Sequence, residues 1–152
     1  YLVLRSRIAV WPPIDQPRLP VFITAINTMV LLASGLAFEQ ARAPFAQGRV
    51  RAASRWFAIV AVLGLTFLAI QGREWVRLLG YGMTTSSGLY GALFYTLIGA
   101  HAVHEAGALV VLLAVVRRAN RGLDRDAFLA MRLFWWFVVG IWPILYGLVY
   151  LW

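Results

Sequence analysis

The chain has 152 residues, room for one domain, of which 62% are hydrophobic and only 13% charged, with a mean hydropathy of +0.76. Soluble domains of this size are about 45–50% apolar, so an ordinary water-soluble fold is excluded. The formal net charge is +8, but the charges stand between long apolar runs. That is the layout of an all-α polytopic membrane protein, not the solvated basic face of a nucleic-acid binder.

In chain order, residues 1–4 are apolar and are expected to be the last turn of a preceding helix, since neither an initiator methionine nor a signal-peptide pattern stands before them. Trp11-Pro12-Pro13, Pro17 and Pro20 follow. Proline lacks the amide donor and restricts the residue before it, so this stretch reads as a connector on the membrane surface. Four apolar runs then predict membrane-crossing helices: α1 over about 19–38, α2 over about 56–79, α3 over about 88–116 and α4 over about 127–152. Each is near the roughly 20 apolar residues that about 30 Å of hydrocarbon requires. Residues 1–152 are read as a single transmembrane domain.

The short linkers carry the charge. All fourteen basic residues are arginine. Arg42, Arg49, Arg51 and Arg55 lie between α1 and α2; Arg117, Arg118, Arg121 and Arg125 lie between α3 and α4, with Arg132 just inside α4. Arg5, Arg7, Arg18, Arg73 and Arg77 fall at the other end. Nine arginines against five place the α1–α2 and α3–α4 loops in the cytoplasm and the C-terminus outside. Trp11, Trp75, Tyr81, Tyr90 and Trp152 all fall at the predicted outer boundary, where amphipathic rings anchor at headgroup level. Small residues at four-residue spacing, Ala33 with Ala37, Gly99 with Val103, and Ala100 and Ala108 flanking His104, offer helix-packing surfaces. No internal repeat is evident, which argues against an inverted-repeat transporter.

Chemistry inside the apolar segments rests on very few groups. Cysteine is absent, excluding disulfides, thiolate ligands and cysteine nucleophiles. Glu74 lies toward the outer end of α2 beside Arg73 and Arg77, and reads either as an ion-paired carboxylate at the interface or as a deeper proton-exchanging group. His101, His104 and Glu105 lie near the middle of α3, and their i, i+3 and i, i+4 spacing invites a metal reading. A further ligand would have to be Glu74, yet by helical rise its depth matches poorly, so no metal is assigned. Two histidines three apart on one helix cannot ligate both faces of one haem. The competing reading has neutral histidines hydrogen-bonded to α2 or α4. Glu39 is expected at the interface, at the end of α1. Ser86 and Ser87 sit in a loop far from His101, so serine–histidine–acid catalysis is unsupported, and phosphate-loop, CxxCH and zincin motifs are absent.

As a set, these motifs resemble subunit III of the haem-copper oxidases, the cytochrome c oxidases and their quinol-oxidising relatives. The run Gln71-Gly72-Arg73-Glu74-Trp75 is similar to the family's QGxEW. Ser87-Gly88-Leu89-Tyr90-Gly91 with Phe94, and Gly99-Ala100-His101-Ala102-Val103-His104 with Gly107, follow in the family's order and spacing. Trp11-Pro12-Pro13 with Leu19-Pro20, Asn27-Thr28 with Leu31-Leu32-Ala33-Ser34, and the ending from Trp142 to Trp152 resemble the family's connector, next helix and C-terminus. The resemblance implies that these are the last four helices of a five-helix form, the first lying before Tyr1. It also implies an accessory subunit without haem, copper or catalytic centre, packed against the catalytic subunit I, which holds the haem and copper. Such a subunit binds phospholipid in a cleft, supports proton uptake and stability, and sits in the bacterial inner membrane. Glu74 corresponds to the family's buried carboxylate, and His101 and His104 to its paired histidines. The sequence departs from the family where Trp136 and Val139 replace a histidine and an aspartate, at Glu105 where an apolar residue is usual, and at Pro143, which is expected to kink α4. These departures fit a divergent branch, such as a nitric-oxide-reductase-associated relative. A stand-alone transporter or channel is the rival of a different class, though its polar stripe would be thin.

Overall fold

In the computed structural model, residues 19–118 and 125–151 are described, and all their regular structure is helical. Helix α1 is Val21–Ala46, α2 is Val50–Gly80, α3 is Leu89–Arg118 and α4 is Arg125–Tyr146, continuing into a π-helical turn at Gly147–Leu151. Each of the four is long and apolar enough to cross a membrane.

The bounds differ from the sequence expectation where helix extends beyond the apolar run. Helix α1 passes residue 38 and ends at Ala46, and α2 begins at Val50 instead of 56. Gln40, Ala41, Arg42, Ala43, Arg51, Ala52 and Ala53 are good helix formers, so the backbone bonds continue past the hydrophobic stretch. The turn between them is three residues, closed by Gly48 at φ +67, the left-handed conformation that glycine adopts without a Cβ clash. At Pro143 the expected interruption is displaced: α-helical geometry runs on to Tyr146, and only then widens into the π turn.

The helices form an antiparallel four-helix bundle in which each packs on its chain neighbours and α4 closes back on α1. Late α1 meets early α4 through Glu39 and Arg132, while early α1 meets late α4 through Thr28 and Trp142. Aromatic rings fill the axis. Phe38 lies 5.6 Å from Phe57, 5.8 Å from Phe128 and 6.3 Å from Trp135, centroid to centroid, and Phe67 meets Trp142 edge-on at 4.8 Å. The outer faces carry exposed apolar side chains such as Phe22, Val76, Val103 and Leu133, as expected where the surrounding solvent is hydrocarbon.

The small residues expected at packing surfaces divide by burial. Ala37 and Ala108 are buried, but Ala33, Ala100, Val103 and His104 face outward. Between helices the tight glycines are Gly35, where an added Cβ would come within 3.2 Å of Val139, and Gly64, where it would come within 2.9 Å of Glu105 and 3.0 Å of Trp135, while at the start of α3 a Cβ on Gly91 would run into the Thr84 carbonyl.

Candidate functional site

The bundle core contains a column of polar side chains between its aromatic rings. In an apolar surround every such group needs a partner or carries a desolvation penalty, so the column can be followed bond by bond.

At the arginine-rich end, Glu39 links two helices. Arg132 donates to both its oxygens, Nε to Oε1 at 2.7 Å and Nη2 to Oε2 at 3.1 Å, and the Trp136 indole donates to Oε1 at 2.6 Å. This bidentate pair is the strong geometry for a guanidinium and a carboxylate. One turn deeper, Trp135 Nε1 donates to Ser34 Oγ at 3.3 Å. Farther along, Asn27 Nδ2 donates to the Phe67 carbonyl at 3.0 Å and Trp142 Nε1 to Thr28 Oγ1 at 2.9 Å. Toward the opposite end, Gln71 Nε2 donates to the Tyr150 hydroxyl at 2.9 Å, a contact made from the π turn.

The α3 cluster divides. His101 and Glu105 share the inward face and are both buried, Glu105 with no exposure at all. Among the described residues, neither ring nitrogen of His101 and neither oxygen of Glu105 has a hydrogen-bond partner. His101 instead packs its ring against Trp142 at 4.8 Å and Phe67 at 5.8 Å. His104 turns outward, with Nδ1 2.6 Å from the Ala100 carbonyl of its own helix. The sequence-level alternative of both histidines hydrogen-bonded to α2 or α4 therefore does not describe either ring. His101 and His104 both border a mainly apolar groove of about 250 Å³ between α3 and α4, lined also by Thr96, Phe137 and Ile141. No three His, Asp or Glu side chains stand together as a metal-sized cluster among the described residues.

Glu74 is buried and accepts from Arg77 Nη1 at 3.2 Å, while the arginine side chain remains 54% exposed. Burial and ion pairing, posed as alternatives by the sequence, therefore occur together. Of the boundary aromatics, Trp11 and Trp152 lie outside the described residues. Trp75 is half-buried against Tyr95, its indole nitrogen enclosed without a partner, whereas Tyr90 is buried at the start of α3. Tyr81, 69% exposed, is the open ring at that end.

Sequence reasoning missed the Glu39–Arg132–Trp136 link because it read Arg132 only as a topology signal. The available hint was a carboxylate and a guanidinium each inside a helix at the same end of the bundle. Asn27, Thr28 and Gln71 carry the same kind of signal, since polar residues within an apolar run mark interhelical hydrogen bonds.

The sequence profile of the family described as Cytochrome c oxidase subunit III matches residues 6–152. Cytochrome c oxidase subunit 3 of Synechocystis sp. is 32% identical over 156 aligned residues, covering 99% of this chain and 66% of that protein. The Thermostichus vulcanus protein of the same name is 31% identical, covering 99% of this chain and 76% of its own length. That of Oryctolagus cuniculus is 30% identical, covering 93% of this chain and 55% of its own.

Proposed function

Because the chain belongs to the cytochrome c oxidase subunit III family, we propose that it is an accessory, cofactor-free subunit of a respiratory haem-copper terminal oxidase. It is held in the bacterial inner membrane against the catalytic subunit, which carries the haem and copper. The match across residues 6–152 carries this reading.

In this role the bundle is a scaffold. Its polar residues are spent chiefly on tying helices together: α1 to α4 through Glu39, Ser34 and Thr28, α1 to α2 through Asn27, and α2 to the end of the chain through Gln71. A rigid bundle offers a fixed surface to a partner and to ordered phospholipid. Glu74, buried near the end of α2, is the group we assign to proton-uptake support and lipid retention, with Arg77 holding its carboxylate. The groove beside His101 and His104 has the apolar lining that a lipid chain or a neighbouring helix would fill. A stand-alone channel is disfavoured, because the fully buried Phe67, Trp135 and Trp142 interrupt the polar column.

Purification of the native complex through a tag on this chain tests the assignment. A haem-copper catalytic subunit is expected in stoichiometric amount with its haem spectrum; recovery of this chain without one overturns the proposal.

A further inference from the structure

At the arginine-rich end, a pocket of about 600 Å³ opens between the end of α1 and the start of α4. Phe45 and Phe128 line it, stacked with ring centroids 4.2 Å apart and planes 10° from parallel, with Leu129 beside them. Arg42 and Arg125 also line it, and both are exposed. Neither guanidinium has a hydrogen-bond or ion-pair partner among the described residues. The carboxylate one turn before Arg42 is Glu39, whose oxygens are bonded to Arg132 and Trp136 and which Arg42 meets only as a nearby charge. Gly48, in the α1–α2 turn, also lines the pocket.

This combination selects its ligand. Two guanidinium forks that no described side chain bonds match a phosphodiester, to which arginine donates in a bidentate manner. A small soluble anion would use the arginines but leave Leu129 and the half-buried Phe45 facing water, Phe128 behind them being buried in the core. A ligand that joins a phosphate to hydrocarbon uses both. The pocket lies at the end of membrane-crossing helices, the level of lipid headgroups, at the end where the arginine count places the anionic cytoplasmic leaflet.

We propose that Arg42 and Arg125 hold the phosphate of an anionic phospholipid such as phosphatidylglycerol, with the adjoining part of an acyl chain lying on Phe45 and Leu129. This goes beyond the lipid retention assigned to Glu74, which lies toward the other end of α2, by adding a second place and a lipid class. Both arginines are exposed and form no hydrogen bond or ion pair among the described residues, so their replacement leaves the fold intact.

The test uses the full chain in nanodiscs of equimolar phosphatidylglycerol and phosphatidylcholine, with co-ejected lipid counted by native mass spectrometry. The wild-type chain is expected to retain one phosphatidylglycerol with a preference of about tenfold or more, given the attraction per arginine near an anionic surface. Arg42→Gln combined with Arg125→Gln should abolish the preference; Arg51→Gln combined with Arg55→Gln, at the same end but outside the pocket, should keep it. Absence of a preference in the wild type, or equal loss in both double variants, overturns the site. Thermal protection by inorganic phosphate in pure phosphatidylcholine nanodiscs, equal to that by the lipid and lost in the pocket variant, reassigns the site to a free anion and overturns the lipid. The readout needs no oxidase partner, so its failure leaves the complex assignment standing, and failure of that assignment leaves this readout intact.

Discussion

Glu105 and His101 bring four unpartnered polar atoms into a core built otherwise of aromatic and aliphatic side chains. A buried polar group without a hydrogen bond is a liability of roughly 1–3 kcal/mol, and replacing it with an apolar side chain of similar size removes that liability. Glu105→Leu is therefore expected to raise the thermal midpoint of the purified chain in detergent, and His101→Phe, which keeps the ring contacts with Phe67 and Trp142, to leave it within a degree or two. A lowered midpoint for Glu105→Leu would mean that its oxygens do have a partner in solution. Glu74 behaves differently, being already paired. Arg77 is more than half exposed, so the pair contributes at most about 1 kcal/mol. Glu74→Gln should assemble normally, yet shorten the period of sustained turnover or lower the phospholipid content of the complex; unchanged values in both would leave Glu74 only its ion pair. The sequence made Glu74, His101 and Glu105 visible because ionisable groups are rare in apolar runs. It did not reveal that His104 faces outward, since residues three and four apart share only part of a helix face and the rotation about the helix axis is set by tertiary packing.

Between elements, two contacts fix how closely the helices sit. Gly64 on α2 lies against Glu105, Trp135 and Leu109, so an added methyl would meet all three at 2.9–3.1 Å. Gly64→Ala is expected to destabilise by about 1–3 kcal/mol through overpacking. Gly140→Ala, with nothing within 4 Å of its Cβ, should be neutral or stabilising by up to about 1 kcal/mol. Unfolding titrations of the two variants check this, and equal effects would count against the tight α2–α3–α4 contact. The Glu39–Arg132 link calls for a double-mutant cycle with Glu39→Gln and Arg132→Gln, for which we expect a coupling of about 1–2 kcal/mol in a partly buried, bidentate geometry. Coupling near zero would reduce it to a surface pair. Helix number and order were legible because hydrocarbon thickness imposes a length on apolar runs. The helix ends were not, because good helix formers carry the backbone past the boundary that hydropathy marks. The Gly64 contact was hidden for another reason: glycine is frequent in membrane helices, and only the facing residue reveals which one is a packing point.

At the scale of the whole molecule, the arginine distribution gives an orientation that can be measured. An alkaline phosphatase fusion at Trp152 is expected to be active and one in the α1–α2 turn inactive, as nine arginines against five place that turn in the cytoplasm. The reverse pattern would overturn the orientation and the leaflet assigned to the Arg42–Arg125 pocket. Family membership was legible from motifs spread over the whole chain, because each motif occupies a different helix or turn and their order fixes the arrangement. The pocket was not, since Arg42 and Arg125 are 83 positions apart in sequence and meet only when α4 closes back on α1.

The same closure orders events during biosynthesis. Asn27 and Phe67, and the aromatic pair Phe38 and Phe57, can join as soon as α2 leaves the ribosome, so α1 and α2 can enter the membrane as a hairpin. Glu39 then waits for Arg132, 93 positions later. At about 5–20 residues per second of synthesis, its carboxylate spends on the order of 5–20 s without its counter-ion. The interval ends when α4 arrives, which makes the insertion of α4 the step that neutralises α1.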